Sequence, residues 1–383
     1  MTQLDRATGR PAVLVVAAGI FTVVTAEMLP VGLLTPMGAA LHVSEGMAGQ
    51  TLTTTGIVAA VAAPLVVPAL GRMDRRRALV ALMGLLAGAN LLAAWAPAFG
   101  VMVAARVLVG IAMGGVWALA AGLAVRLVPP GSVGRATATI FSGIAVASVL
   151  GVPAGTFLGA LAGWRSAFVV VGALAAAVAL AMAVLLPALP AERAAGLSGV
   201  TALLRNPRVG TGLVVVALLV VGHFGAYTYV RPVLEERAVD APLIGTLLLV
   251  YGVAGVLGNF AAGAATVRSV RRTVLVLAGL LVGAVVVLAL AASAPTAAVA
   301  MVVWGLGYGG VSVTAQTWMM TAAPDARETA SSLFAGVFNG AIAVGAVGGG
   351  LVVDGFGPTA VLVWGAVLVL GAVVAMALGR PVG

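Results

Sequence analysis

The 383-residue chain is 62% hydrophobic, only 8% charged and free of cysteine, with a mean hydropathy of +1.20 and a formal net charge of +9. About a quarter of the residues in an ordinary soluble domain are charged, so the composition excludes a soluble globular fold, a disordered chain and a disulfide scaffold. All 20 basic residues are Arg, placed singly or in short clusters between apolar runs; the charge reports membrane topology and excludes a nucleic-acid partner.

A helix needs about 20 apolar residues to cross the hydrocarbon. Long Ala/Val/Leu/Gly runs, without the alternation of a barrel strand, predict helices. Cut at charge clusters and Pro/Gly breaks, the chain gives twelve spans. They are 12–35, 49–70, 78–96, 99–124, 136–158, 166–187, 209–230, 243–264, 273–293, 297–320, 330–352 and 359–379, with tight hairpins near Pro97 and Pro295. With the amino terminus cytoplasmic, 16 Arg fall in inside segments, three (Arg165, Arg231, Arg237) outside, and Arg106 within a span. That asymmetry predicts both termini on the cytoplasmic side of the cell membrane. The first span, preceded by Arg10, is expected to act as an uncleaved signal-anchor.

The polar interval 188–208 divides the chain into a six-helix bundle at 1–187, a cytoplasmic linker and a second six-helix bundle at 209–383. The halves echo each other at an offset near 195 residues. Gly71 and Arg76-Arg77 match Gly263 and Arg271-Arg272, Gly114-Gly115-Val116 matches Gly309-Gly310-Val311, and Pro129 matches Pro324. Parallel six-helix repeats are a transporter signature, with a substrate path between them at mid-membrane.

Four motifs in order carry a family resemblance. Span 1 holds Thr25-Ala26-Glu27-Met28-Leu29-Pro30-Val31-Gly32-Leu33-Leu34. Spans 2 and 3 are joined by Leu70-Gly71-Arg72-Met73-Asp74-Arg75-Arg76-Arg77. Span 4 has Arg106 with Gly110 and Gly114, and span 5 has Gly151-Val152-Pro153-Ala154-Gly155. Together they resemble the major facilitator superfamily over the whole chain, in its twelve-span drug:proton antiporter and sugar- or nucleoside-efflux branch. The joining loop departs from the family pattern by lacking a Gly between its Asp-Arg and the final basic pair. The resemblance implies an all-α fold of twelve transmembrane helices in two pseudo-symmetric bundles.

Glu27, Arg106 and His223 are the ionisable side chains inside spans. A charge at the bilayer centre costs about 2.5–3.5 kcal/mol on insertion scales, so such groups face the bundle interior and are functional candidates. At 1.5 Å per residue each lies roughly 10–12 Å below the outer face, a shared depth that suggests a cluster around a cavity. Glu27 is the candidate proton carrier; the competing reading is a packing Glu held neutral by hydrogen bonds. His223 is either a proton relay, a substrate contact or a satisfied core histidine. Arg106 keeps its proton. The resemblance implies that it tunes a carboxylate or holds a water network; alternatively it snorkels to the interface.

Asp74 sits at the start of span 3, where a carboxylate meets the positive end of the helix dipole. The resemblance implies that Gly71, Asp74, Arg75, Arg76 and Arg77 form a gating loop; the other reading is a positive-inside anchor. Gly110/Gly114, Gly151/Gly155/Gly159, Gly279/Gly283 and Gly345/Gly349 set small faces one turn apart for close helix packing. Pro153 should kink span 5. Substrate-cavity candidates are Asn90, Trp117, Tyr227, Tyr229, Tyr251, Asn259, Trp304, Gln316, Trp318 and Asn339. Gly305-Leu306-Gly307-Tyr308-Gly309-Gly310 matches a dinucleotide fingerprint, but it lies mid-span rather than after a strand.

These features predict a non-enzymatic, proton-coupled exporter of small drug-like organic molecules that works by alternating access. A metabolite exporter for sugars, nucleosides or amino acids is the alternative. The expected partners are a small-molecule substrate, protons and the lipid bilayer. No catalytic centre, metal or cofactor is expected, and the protein is expected to be monomeric. An intramembrane enzyme would need a catalytic pair, and a channel would need a charge ring or carbonyl filter.

Overall fold

The computed structural model describes residues 3–120, 123–129, 132–190, 203, 205–291 and 293–380. All regular structure among them is helical. In the first half the helices are α1 (Gln3–Met28), a 3₁₀ turn (Leu29–Leu33), α2 (Leu34–Leu41), α3 (Glu45–Leu70), α4 (Arg75–Ala94), α5 (Phe99–Ala120), α6 (Ala124–Leu127), α7 (Val133–Ala162) and α8 (Trp164–Leu185). The second half holds α9 (Pro207–Thr228), α10 (Val230–Glu235), α11 (Ala241–Thr266), α12 (Val270–Ala289), α13 (Ala294–Gly309), α14 (Val311–Ala322), α15 (Arg327–Phe356) and α16 (Ala360–Leu378).

Among the described residues, 11 helical stretches are long and apolar enough to cross a membrane. α3, which includes residues whose side chains are not described, occupies the place of the remaining expected span. The fold is the twelve-helix, two-bundle arrangement. Most of the linker expected at 188–208 lies outside the described residues.

The repeat is visible in the elements themselves. α4 and α12 are both 20 residues long, and α7 and α15 are both 30. Each 30-residue helix ends at a single glycine with positive φ, Gly163 (+80°) and Gly357 (+85°), before the next helix starts. Only glycine takes that conformation without a Cβ penalty, so the reversal is fixed at equivalent points in both halves.

Helix starts follow local chemistry. Asp74, Asn206, Asp240 and Ser269 cap α4, α9, α11 and α12 by accepting from backbone N–H groups of the first turn. Two predicted spans are interrupted. The first bends through the 3₁₀ turn at Leu29–Leu33, where Pro30 lacks a donor. The tenth breaks at Gly310, between α13 and α14. α7 runs on through Pro153 as one helix from Val133 to Ala162.

The chain divides into two compact units: Met1–Leu33 with Thr54–Ala195, and Leu34–Thr53 with Gly196–Gly383. Leu34–Thr53 therefore groups with the second unit, not with the first bundle in which the sequence places it. Polar contacts hold it there. Thr35 Oγ1 bonds Glu235 at 2.6 Å, and Asp354 accepts from the Ser44 hydroxyl at 2.7 Å and the Gly46 N–H at 3.0 Å.

Glycine stripes give the helices their closest approaches. In the first unit, Gly110 and Gly114 of α5 lie against the backbone carbonyls of Thr55 and Ala59 on α3. Gly151, Gly155 and Gly159 of α7 face Thr25, Leu29 and Leu33. In the second unit, Gly345 and Gly349 of α15 face the carbonyls of Val221 and Gly225 on α9. The expected pair Gly279/Gly283 packs against nothing within 4 Å. α12 instead buries the stripe Val274, Leu277, Leu281, Val285 and Leu288, which turns both glycines outward.

Candidate functional site

Glu27 closes the last turn of α1. Pro30, three residues later, removes the N–H that would bond the Ala26 carbonyl, and the 3₁₀ turn redirects the following bonds. The end of α1 is therefore short of donors. Arg106, fully buried on α5, supplies them: Nη1 donates to Ala26 O and Nη2 to Glu27 O, each at 2.8 Å. A planar guanidinium fork suits two adjacent carbonyls, which a single ammonium would serve less well. Arg106 points inward and does not snorkel. It also lies within electrostatic reach of the Glu27 carboxyl. Glu27 is 5% exposed, and among the described residues it is the buried acid.

His223 belongs to the second unit and has a different environment. α9 presents His223 and Tyr227 on one face, α11 contributes Tyr251, and α13 contributes Trp304 and Tyr308, again four residues apart. Trp304 Nε1 donates to His223 Nδ1 at 3.0 Å, and Tyr251 Oη lies 3.3 Å from Nε2. An indole N–H is only a donor. His223 Nδ1 must therefore be unprotonated, which fixes the ring as the neutral Nε2–H tautomer while that bond holds. Tyr308 stacks on His223 with centroids 3.4 Å apart and planes 7° from parallel; Tyr227 follows at 5.2 Å and 17°. Glu27 and Arg106 thus come together in one unit, and His223 has its own partners in the other.

The loop residues form a built junction. Asp74 accepts from the N–H groups of Arg76 (2.9 Å), Arg77 (3.4 Å) and Leu189 (2.7 Å). The Arg75 N–H donates to Leu189 O at 2.7 Å, and the Arg76 guanidinium bonds Ala183 O. Gly71, with φ +48°, makes the preceding turn. An open cleft of about 460 Å³ lies beside Asp74, Arg76 and Arg77.

The cavity candidates scatter. Asn90 is fully buried, with Nδ2 on Leu86 O and Oδ1 without a hydrogen-bond partner. Trp117 stacks on Phe141 with centroids 6.0 Å apart. Tyr229 is buried at the end of α9 and bonds Ala346 O at 2.8 Å, so it serves packing there. Trp318 Nε1 bonds Arg208 O at 2.9 Å. Gln316 is half-buried, Asn339 donates to Ala335 O one turn back, and Asn259 is exposed. Tyr308, which completes the His223 stack, is absent from the sequence-based candidates; its signal was a tyrosine set between glycines four residues after a tryptophan.

The model of the Major Facilitator Superfamily matches residues 16–238 and 214–382. The chain belongs to the Major Facilitator Superfamily. It is accordingly a multi-pass membrane transporter of small molecules and not an enzyme. Its relatives include the purine ribonucleoside efflux pump NepI of Salmonella paratyphi B and of Salmonella typhimurium. Each is 33% identical over 351 residues, covering 90% of this chain and 88% of the relative. Among solved structures, the nucleoside transporter NupG superposes with a TM-score of 0.78 at 14% identity, covering 96% of this chain and 98% of NupG. A bacterial homologue of the human lysosomal transporter Spinster gives 0.75 at 16% identity, covering 99% and 97%. These two likenesses concern the fold.

Proposed function

We propose that this superfamily member exports a nucleoside-type metabolite across the cytoplasmic membrane by alternating access, in exchange for protons carried by Glu27. The observation that supports the substrate class is the 33% identity, over nine-tenths of the chain, with the purine ribonucleoside efflux pumps. It favours the metabolite alternative over drug-like compounds. The proton role rests on placement: a buried carboxyl, in a helix end left short of donors, beside a guanidinium that cannot leave. Proton binding at Glu27 would neutralise the acid while Arg106 keeps the α1 end closed. The loop around Asp74 is the proposed gate on the Arg-rich side, both termini are proposed to be cytoplasmic, and the working unit is proposed to be the monomer.

The test is uptake of radiolabelled adenosine and inosine into inverted membrane vesicles. Saturable uptake that follows an imposed pH gradient is expected. Transport of a cationic dye with no nucleoside movement would restore the drug-exporter reading, and nucleoside uptake indifferent to the gradient would remove the proton step.

A further inference from the structure

We infer that the face of His223 now covered by Tyr308 is the ring-binding subsite of the second unit, with the Tyr308 phenol standing in for the planar heteroaromatic ring of the substrate. The inference rests on the nucleoside reading and specifies where the base is held.

Three observations carry it. First, the Tyr308–His223 geometry is unusual for two protein side chains. Aromatic pairs prefer offset or edge-to-face arrangements with centroids about 4.5–7 Å apart. The neighbouring Tyr227–Tyr251 pair conforms, at 4.7 Å and 25°. Tyr308 and His223 instead overlap face to face at 3.4 Å and 7°. That is the spacing of a stacked base, held here by a side chain.

Second, His223 is prepared as a fixed platform. Trp304 holds Nδ1 and Tyr251 lies on Nε2, so both edges of the imidazole are anchored and the ring cannot rotate away. Its face is the surface left for a ligand, and the tautomer imposed by Trp304 keeps that face neutral. A neutral aromatic face suits an uncharged heteroaromatic ring better than a cation.

Third, the covering residue is the least buried of the residues around His223. Trp304 is fully buried and Tyr227 and Tyr251 nearly so, whereas Tyr308 is half-buried. It sits between Gly307 and Gly309, immediately before the break at Gly310 where α13 gives way to α14. Gly305 and Gly309 pack against the Tyr251 and Gly255 carbonyls of α11, so the backbone here is held and it is the Tyr308 side chain that would turn aside. The stretch Gly305–Gly310, which imitates a dinucleotide fingerprint in the sequence, thereby acquires a role: it carries the tyrosine that exchanges places with the ligand ring.

The experiment measures equilibrium binding to the purified full-length protein in lipid nanodiscs. The probes are radiolabelled adenosine, ribose and an uncharged planar dye, and the proteins are wild type, Tyr308→Phe, Tyr308→Ala and His223→Ala. Wild type should bind adenosine and not ribose. Tyr308→Phe keeps the covering ring and should match wild type. Tyr308→Ala should bind adenosine three- to tenfold more tightly, because the competitor is gone. His223→Ala should bind it at least tenfold more weakly. Tyr308 is half-buried, so its variants keep the inference testable should His223→Ala fail to fold. Adenosine binding that is unchanged or weakened in Tyr308→Ala overturns the stand-in role and leaves the nucleoside reading intact. Tyr308-dependent binding of the dye with none of adenosine supports the ring subsite and overturns the nucleoside reading. Binding of neither planar probe overturns both.

Discussion

Arg106 and His223 are both buried nitrogen bases on membrane helices, but their partners differ in kind. Arg106 meets acceptors: two carbonyl oxygens at 2.8 Å and the field of a carboxyl. His223 meets a donor, the Trp304 indole, and stacked rings. Acceptors stabilise a permanent cation, while a donor on Nδ1 excludes the protonated imidazole. The two units are thus specialised, one around a fixed positive charge beside a titratable acid, the other around a neutral aromatic platform. Under the proposed mechanism the contrast favours Glu27 over His223 as the proton carrier.

The largest expected effect on transport follows directly. Glu27→Gln should cut gradient-driven nucleoside uptake at least tenfold, about 1.4 kcal/mol in barrier terms. His223→Gln should weaken substrate binding while its uptake keeps the wild-type dependence on the pH gradient. Uptake into inverted vesicles across a series of imposed gradients separates the two. Gradient dependence lost in the His223 variant and kept in the Glu27 variant would reverse the assignment.

The largest effect on stability is expected at Arg106. Arg106→Ala leaves two buried carbonyls at the end of α1 without their donor, a loss of about 3 kcal/mol or more. Arg106→Lys restores one donor group but not the fork, and should fall between. Thermal unfolding of the purified variants in one detergent gives the order wild type, Lys, Ala. Equal midpoints for all three would mean that the guanidinium does not hold the broken helix. A smaller loss, about 1 kcal/mol, is expected for Asp74→Asn. The carboxylate uses one oxygen for the Arg76 N–H and the other for the Leu189 N–H, and an amide has only one oxygen to offer. Its transport rate should change while membrane insertion does not.

The sequence carried the spans and the repeat, and it singled out Glu27 and Arg106, because those depend on local hydrophobicity and on the cost of charge in lipid; that Arg106 reaches the carbonyls beside Glu27 was not legible there. It was less informative where tertiary contacts decide. Pro30 signalled a missing donor, but the apolar run Leu29–Leu33 read as continuous helix, and the link from Arg106 to those carbonyls spans about eighty positions. Gly279 and Gly283 have the spacing of a packing stripe; their neighbours Leu277 and Leu281 took the buried face instead. The His223 platform draws on three helices, and no periodicity within one helix announces it. Leu34–Thr53 joins the second unit through Thr35, Ser44 and Gly46, side chains and backbone groups whose partners lie some two to three hundred residues away.

The last of these contacts gives the smallest effect, and its sign can be worked out. Thr35 Oγ1 is 2.6 Å from Glu235 Oε2 and 3.1 Å from Glu45 Oε1. Glu235 is also paired with Arg231 at 2.8 Å. Burial raises the Glu45 carboxyl above its ordinary 4.5; the Thr35 hydrogen bond opposes this, and the charges of Glu235, Glu236 and Asp354 add to the rise. A carboxyl raised on folding binds its proton more tightly in the folded state. Its stabilising contribution is complete below the ordinary value and is lost as pH rises through the folded one. The thermal midpoint of wild type should therefore fall, relative to Glu45→Gln, as pH is taken from 4 to 8. Because Glu45 is half-exposed the difference should be modest and screened by salt. A gap that widens in favour of wild type at high pH would mean that Glu45 is held ionised.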